Sequence, residues 1–169
     1  MPARTPLSGV RMASPEQDWN DWLAENAARF LLFARQQTRC EHDAEDVLQE
    51  SLVESWQRAG GRPEAALVYA TIRRRAIDLG RSNSRRSVRE QESSDLFNAS
   101  SDDRETAEVL ERELRRLPPD QREVLILKFW GGLTFAQVGE ALDIPQGTAA
   151  SRYRLALEAL RQPLTTALT

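Results

Sequence analysis

Two groups of residues stand out in this chain for the chemistry their charge would allow. Between Glu41 and Glu54, six carboxylates (Glu41, Asp43, Glu45, Asp46, Glu50 and Glu54) meet no Lys or Arg, a net −6 with His42 neutral. Clustered carboxylates hold magnesium in phosphoryl-transfer enzymes, so Asp43, Asp46 and Glu50 raise a metal-dependent nuclease as one reading. No convergent base accompanies them. Cys40 and His42 offer at most two ligands, short of a zinc site, and no residue is assigned a catalytic, metal-binding or cofactor-binding role. From Arg73 to Arg89 the sign reverses: Arg73, Arg74, Arg75, Arg81, Arg85, Arg86 and Arg89 stand against Asp78 alone, a net +6. Guanidinium forks suit phosphate and guanine, although a biased genomic base composition would also explain why Lys128 is the single lysine among 23 basic residues. Glu90 to Glu113 swings back to −7, with nine acids against Arg104 and Arg112. The overall charge of −3 hides this segregation, which suggests separate electrostatic partners for separate segments.

These groups need elements to position them, and the periodicity is helical throughout. Trp22, Leu23, Ala27, Phe30, Phe33 and Ala34 predict an amphipathic helix from about Trp19 to Arg39. Ala44, Val47, Leu48, Ser51, Leu52, Ser55 and Trp56 form one stripe of a second, from about Asp43 to Arg58, stopped by Gly60, Gly61 and Pro63. Val68, Ile72, Ala76 and Leu79 define a third, from about Ala65 to Ser84. Apolar residues nearly vanish between Ser87 and Glu105, which predicts a linker. Helical pattern resumes at Ala107 to Leu117. Pro118 and Pro119 open the next helix, with Val124, Leu125, Leu127 and Phe129 expected on its buried side. Beyond Gly131 and Gly132, Thr134 to Leu142 and then Pro145 to about Arg161 make two helices joined by a short turn, the helix-turn-helix pattern. No strand pattern appears. The expectation is an all-α protein of two small helical domains joined by a flexible linker: a disordered tail over 1–17, an N-terminal domain over 18–86, the linker over 87–106 and a C-terminal helix-turn-helix domain over 107–163. With 40% hydrophobic and 29% charged residues, and no apolar run long enough to span a bilayer, the chain reads as soluble, with no membrane insertion. Its N-terminal residues lack the apolar core of a secretory signal, and a lone cysteine fits a reducing compartment, so the location expected is cytoplasmic.

Helix geometry sharpens the candidate surfaces. At 100° per residue Asp43, Asp46, Gln49, Glu50 and Glu54 fall on one side of the second helix. Arg74, Asp78, Arg81 and Arg85 share one face of the third within roughly 60°, opposite the Val68, Ile72, Ala76, Leu79 stripe. In the last helix Gln146, Ala150, Ser151, Arg152 and Arg154 point outward, as a major-groove reader requires, while Ala136 and Gly139 let that helix approach closely. Each surface has a plainer alternative, a solvated charged face or an ordinary helical hairpin.

Leu117-Pro-Pro-Asp-Gln-Arg-Glu-Val-Leu, Gly132-Leu-Thr and Ile144-Pro-Gln-Gly-Thr-Ala-Ala-Ser-Arg resemble the promoter-binding C-terminal domain of sigma factors of the extracytoplasmic-function (ECF) group of the sigma-70 family. Asp43-Ala-Glu-Asp-Val-Leu-Gln-Glu resembles the polymerase-binding helix of their N-terminal domain. The resemblance implies a non-enzymatic subunit that binds core RNA polymerase, directs it to promoter DNA and assists opening. It assigns polymerase docking to Asp46, Gln49 and Glu50, the minus-ten element to the helix of Arg74, Asp78, Arg81 and Arg85, and the minus-thirty-five element to the helix-turn-helix. An anti-sigma factor is a further partner implied by resemblance, and no residue here identifies it. Asp143 stands where the family usually has Gly, a substitution a left-handed helix end tolerates. Ala149, Ala150, Leu155, Arg74 and Leu67 also depart from common family residues, so promoter preference is not carried over. The rival to this reading is a stand-alone helix-turn-helix regulator, which leaves the acidic and arginine-rich helices unexplained.

Overall fold

The computed structural model describes residues 14–83 and 104–167. These form seven α-helices, with no strand among the described residues: α1 (Pro15–Gln37), α2 (Glu41–Ala59), α3 (Ala65–Asn83), α4 (Arg104–Arg116), α5 (Pro119–Leu125), α6 (Phe135–Leu142) and α7 (Gln146–Ala167). Local chemistry accounts for most of the boundaries. The Ser14 side chain accepts from the Gln17 N–H and Pro15 occupies the first turn, so α1 begins four residues before the expected Trp19. Pro15 starts a helix instead of belonging to a tail, because its missing N–H is one that a first turn leaves unpaired anyway. Cys40 caps α2, its sulfur accepting from Asp43 N–H at 3.5 Å, and Gly60, at φ 67°, closes it in the left-handed conformation. α4 begins at Arg104, inside the span expected as linker, and the rest of that span up to residue 103 lies outside the described residues. A reciprocal capping box between Thr134 and Gln137 starts α6, and Asp143, at φ 54°, ends it, the left-handed end expected of that residue.

The stripes are buried as their spacing requires. Phe30, Phe33, Ala34, Ala44, Val47, Val68, Tyr69, Ile72 and Ala76 pack together, and a fully buried side chain of the larger kind contributes about 1.5–3 kcal/mol. This cluster continues without a break into Val124, Ile126, Leu127, Leu133, Val138 and Leu142, because α3 lies against α6. A second cluster of Leu114, Leu117, Leu125, Ala156 and Leu160 joins α4, α5 and α7. Phe129 departs from expectation. Residues Ile126–Trp130 continue α5 as a wider π-helical turn, and that change of period leaves Phe129 64% exposed while Trp130 packs against both clusters. In the helix-turn-helix the expected close approach occurs at Gly139, where a Cβ would lie 2.7 Å from the carbonyl oxygen of Ile144.

Candidate nucleic-acid interface

α2 presents Asp46, Gln49 and Glu50 exposed on one face, with Ala44, Val47, Ser51 and Ser55 buried on the other. Much of its charge is already met within the molecule. His42 lies 3.2 Å from Asp46, and Glu41 is held by Arg35 at 2.7 Å. Across the helix pair, Arg75 bridges Glu50 at 2.6 Å and Glu54 at 2.7 Å, and Arg74 also pairs with Glu54. Partial burial pushes the Glu54 carboxyl up, but the Arg75 and Arg74 guanidiniums outweigh it and hold the group below the usual carboxylate range. Among the described residues no group of three or more His, Cys, Asp or Glu is placed to hold a metal ion.

α3 turns its apolar stripe inward and leaves Arg74, Asp78 and Arg81 exposed on the opposite side. These three share a face as the spacing requires, and Arg85 lies outside the described residues. The face is not open. Arg73, Arg74, Asp78 and Arg81 line a cleft of about 360 Å³ whose other wall is Glu140–Asp143 at the end of α6. Beside it, Arg73 Nε donates to Glu123 Oε1 at 3.3 Å, and Gln37 Nε2 donates to the same oxygen at 2.7 Å. Glu123, 9% accessible, therefore ties α1 and α3 to α5. Its partners stand 50 and 86 residues away in the chain, with no local signal to reveal them.

In the helix-turn-helix, Gln146, Ser151 and Arg154 are exposed and Ala150 is half-exposed. Arg152 is also half-buried and reaches Asp120 at the start of α5 at 3.4 Å. Ala149 is fully buried, so it packs instead of reading bases. Arg122 carries no signal in the sequence, yet its guanidinium donates to the carbonyls of Leu114, Arg115 and Leu117 at 2.9–3.0 Å. It secures the end of α4 beneath α5 by satisfying carbonyls that the helix leaves orphaned.

An acidic helix paired with an arginine helix, followed by a helix-turn-helix, is the construction of a two-part transcription initiation factor. Residues 23–86 match sigma-70 region 2, and residues 107–160 match sigma-70 region 4. The chain is 32% identical over 154 residues to the ECF RNA polymerase sigma factor SigL of Mycobacterium tuberculosis, an alignment covering 83% of this chain and 85% of that one. It is 32% identical over 133 residues to the ECF sigma factor RpoE of Cereibacter sphaeroides, covering 70% and 71%. Its fold is that of the sigma factor RpoE of Bartonella quintana, solved with the anti-sigma factor NepR, at TM-score 0.67 and 21% identity over 88% of this chain and 97% of that one. CnrH, solved with the cytosolic domain of CnrY, gives TM-score 0.61 and 19% identity over 90% and 88%. The chain belongs to the ECF sigma factors of the sigma-70 family, whose members direct RNA polymerase to promoters.

Proposed function

We propose that this sigma factor docks on core RNA polymerase through Asp46, Gln49 and Glu50, and meets the minus-ten element with the α3 face of Arg74, Asp78 and Arg81, extended by Arg85. Gln146, Ala150, Ser151, Arg152 and Arg154 of α7 meet the minus-thirty-five element. The working division is residues 18–86 for polymerase and minus-ten binding and 107–163 for the upstream element, with 87–106 between them. The observation that carries this is the side-by-side arrangement of α2 and α3, joined by the Arg75–Glu50, Arg75–Glu54 and Arg74–Glu54 pairs. One helix exposes acids, its neighbour exposes arginines, and a shared apolar core holds them in fixed register, as a subunit needs if it is to grip a basic protein surface and DNA together. The protein supplies no catalytic group of its own and takes no cofactor. An anti-sigma factor is its third proposed partner, on the strength of the two solved relatives, and its place of action is the cytoplasm. Among the described residues no helix is long and apolar enough to cross a membrane.

The packing of α6 on α3 adds a requirement. Glu140–Asp143 form the wall of the cleft that faces Arg74 and Arg81, so on this reading promoter engagement means parting the two halves and breaking the Arg73–Glu123 and Gln37–Glu123 bonds. The test is transcription in vitro from genomic fragments with purified core polymerase and this chain, followed by mapping of start sites. Stable complex formation and discrete starts are expected. DNA binding with no core complex would favour the stand-alone regulator.

A further inference from the structure

The rotation of α7 about its own axis is fixed by Ala149, Ala156 and Leu160, which are buried. At 100° per residue Leu155 projects about 100° or more away from all three, and only about 40° from Ser151, one turn earlier. It is 47% exposed, and it belongs to the face that Ser151 and Arg154 turn outward. Leu157 is also exposed, at 43%, but it projects about 160° from Leu155 and is no part of that face. A lone exposed leucine is ordinary on a protein surface, so what distinguishes this one is its surroundings. Arg154 flanks it on one side, exposed, and Arg152 on the other, 3.4 Å from Asp120. No carboxylate of α7 precedes Glu158. The turns from Gly147 to Leu155 thus offer cations and no anion of their own, which suits a polyanion. Nothing on the preceding turns overhangs Leu155, because Ser151 is short and Gly147 has no side chain.

The chemistry of leucine decides what it can read. It has neither donor nor acceptor, so a base edge lined with hydrogen-bonding groups loses water against it and gains no partner in return. Thymine alone carries an apolar group in the major groove, its methyl. From Ser151 to Leu155 the helix rises about 6 Å, which is about two base pairs at roughly 3.4 Å each. We propose that Leu155 is a specificity-determining residue of this sigma factor, packing on the methyl group of a thymine in the upstream element, about two base pairs from the pair that Ser151 meets. The proposal deepens the reading of α7 as the minus-thirty-five helix and rests on it. It also gives the departure at Leu155 a consequence: a leucine there selects by an apolar contact, and it excludes by leaving any polar edge unpaired.

The experiment uses the full chain bound to core polymerase, and a promoter whose start site has been mapped by the transcription assay. Each thymine of its upstream element, on either strand, is replaced singly by deoxyuridine, which pairs as thymine does and lacks only the methyl group. With the unaltered chain, one such replacement should weaken binding about four-fold, the effect of one buried methyl-sized group. With Leu155→Ala the two templates should bind equally, whereas Leu157→Ala should keep the four-fold difference. Helix content, followed by circular dichroism, should be unchanged in both variants because Ala is a good helix former. An element with no methyl-sensitive thymine overturns the proposal. So does sensitivity that survives in Leu155→Ala, which would assign the methyl to Ala150 or Thr148. A loss in Leu155→Ala that falls on core binding without DNA overturns it as well, since a protein surface would then cover the leucine. Failure of the underlying reading shows separately: Ser151→Ala with Arg152→Ala would then leave the preference for the element intact. If those substitutions remove that preference and deoxyuridine has no effect, only the methyl contact falls.

Discussion

The N-terminal unit (α1–α3) and the C-terminal unit (α4–α7) both hold arginines expected to meet DNA, but they treat them differently. In α3, Arg73 is engaged by Glu123, Arg74 by Glu54, and Arg75 by Glu50 and Glu54, so much of the densest positive charge in the chain is engaged internally. In α7, Arg152 reaches Asp120, whereas Gln146, Ser151 and Arg154 stand exposed along the helix. Charge counted along a sequence is therefore not charge available to a ligand. Putting the larger nominal charge of α3 to use on a ligand would mean breaking intramolecular pairs, because one acid–base network already holds α2 to α3.

The sharpest way to break this comparison is at the acids. Replacing Asp46, Gln49 and Glu50 together with Ala should weaken core binding by about 2 kcal/mol or more, the scale for truncating charged interface partners, with helix content preserved because Ala is a good helix former. A folded triple variant that binds core normally, in a fluorescence or filter assay, would show that Asp46 and Glu50 serve only their local pairs with His42 and Arg75. Next come the two surfaces proposed to meet DNA. Ser151→Ala with Arg152→Ala should cost about 1–3 kcal/mol for each bidentate side chain–base pairing removed, concentrated on templates carrying the preferred upstream element. Arg81→Ala with Arg85→Ala should weaken open complexes on all templates and flatten the salt dependence, by about 0.9 in log–log slope for each phosphate no longer neutralised. Equal losses on matched templates with and without the element would erase the distinction between the units.

A smaller effect is expected at the joint between them. Glu123→Ala strands Arg73 and Gln37 in a half-buried site, and leaving such donors unpaired costs about 1–3 kcal/mol, which urea denaturation should register. Glu108→Ala, which removes the exposed α4 pair with Arg104, should cost less than about 1 kcal/mol. Comparable losses for the two would demote Glu123 to an ordinary surface acid. The mildest test is pH. Glu41 and Glu54 both have carboxyl groups held below their ordinary range. For Glu41 the Arg35 hydrogen bond is the main cause. For Glu54 the Arg75 and Arg74 bonds overcome an opposing effect of burial. A depressed folded pKa contributes stability that is full above the unfolded value near 4.5 and is lost as pH falls through the folded one. Glu54→Gln should therefore lower the thermal midpoint at neutral pH and flatten its fall at acid pH, so that the altered and unaltered chains converge as Glu54 becomes protonated.

Local rules carried much of the outline. The Val68, Ile72, Ala76, Leu79 stripe, the Asp143 helix end and the close approach at Gly139 all follow from interactions within a few residues, and all appear where the spacing put them. Phe129 did not, because a π-turn changes the period on which the stripe was counted. The outward face of α7 was legible except at Arg152, whose tilt toward Asp120 depends on where α5 lies.

What the amino-acid order determined by itself is the all-α class, the helix stripes, the segregation of charge and the two family motifs, since each depends on period, capping or composition over a turn or two of chain. Only the tertiary structure decided which acid meets which arginine. Glu50 with Arg75 and Glu123 with Arg73 are separated by 25 and 50 residues, and at such distances along the chain, pairing is set by how apolar faces pack, to which charge is only a rider. The same packing laid α6 against the Arg74, Asp78, Arg81 face of α3 and left Val53 and Trp56 uncovered beside the acids of α2.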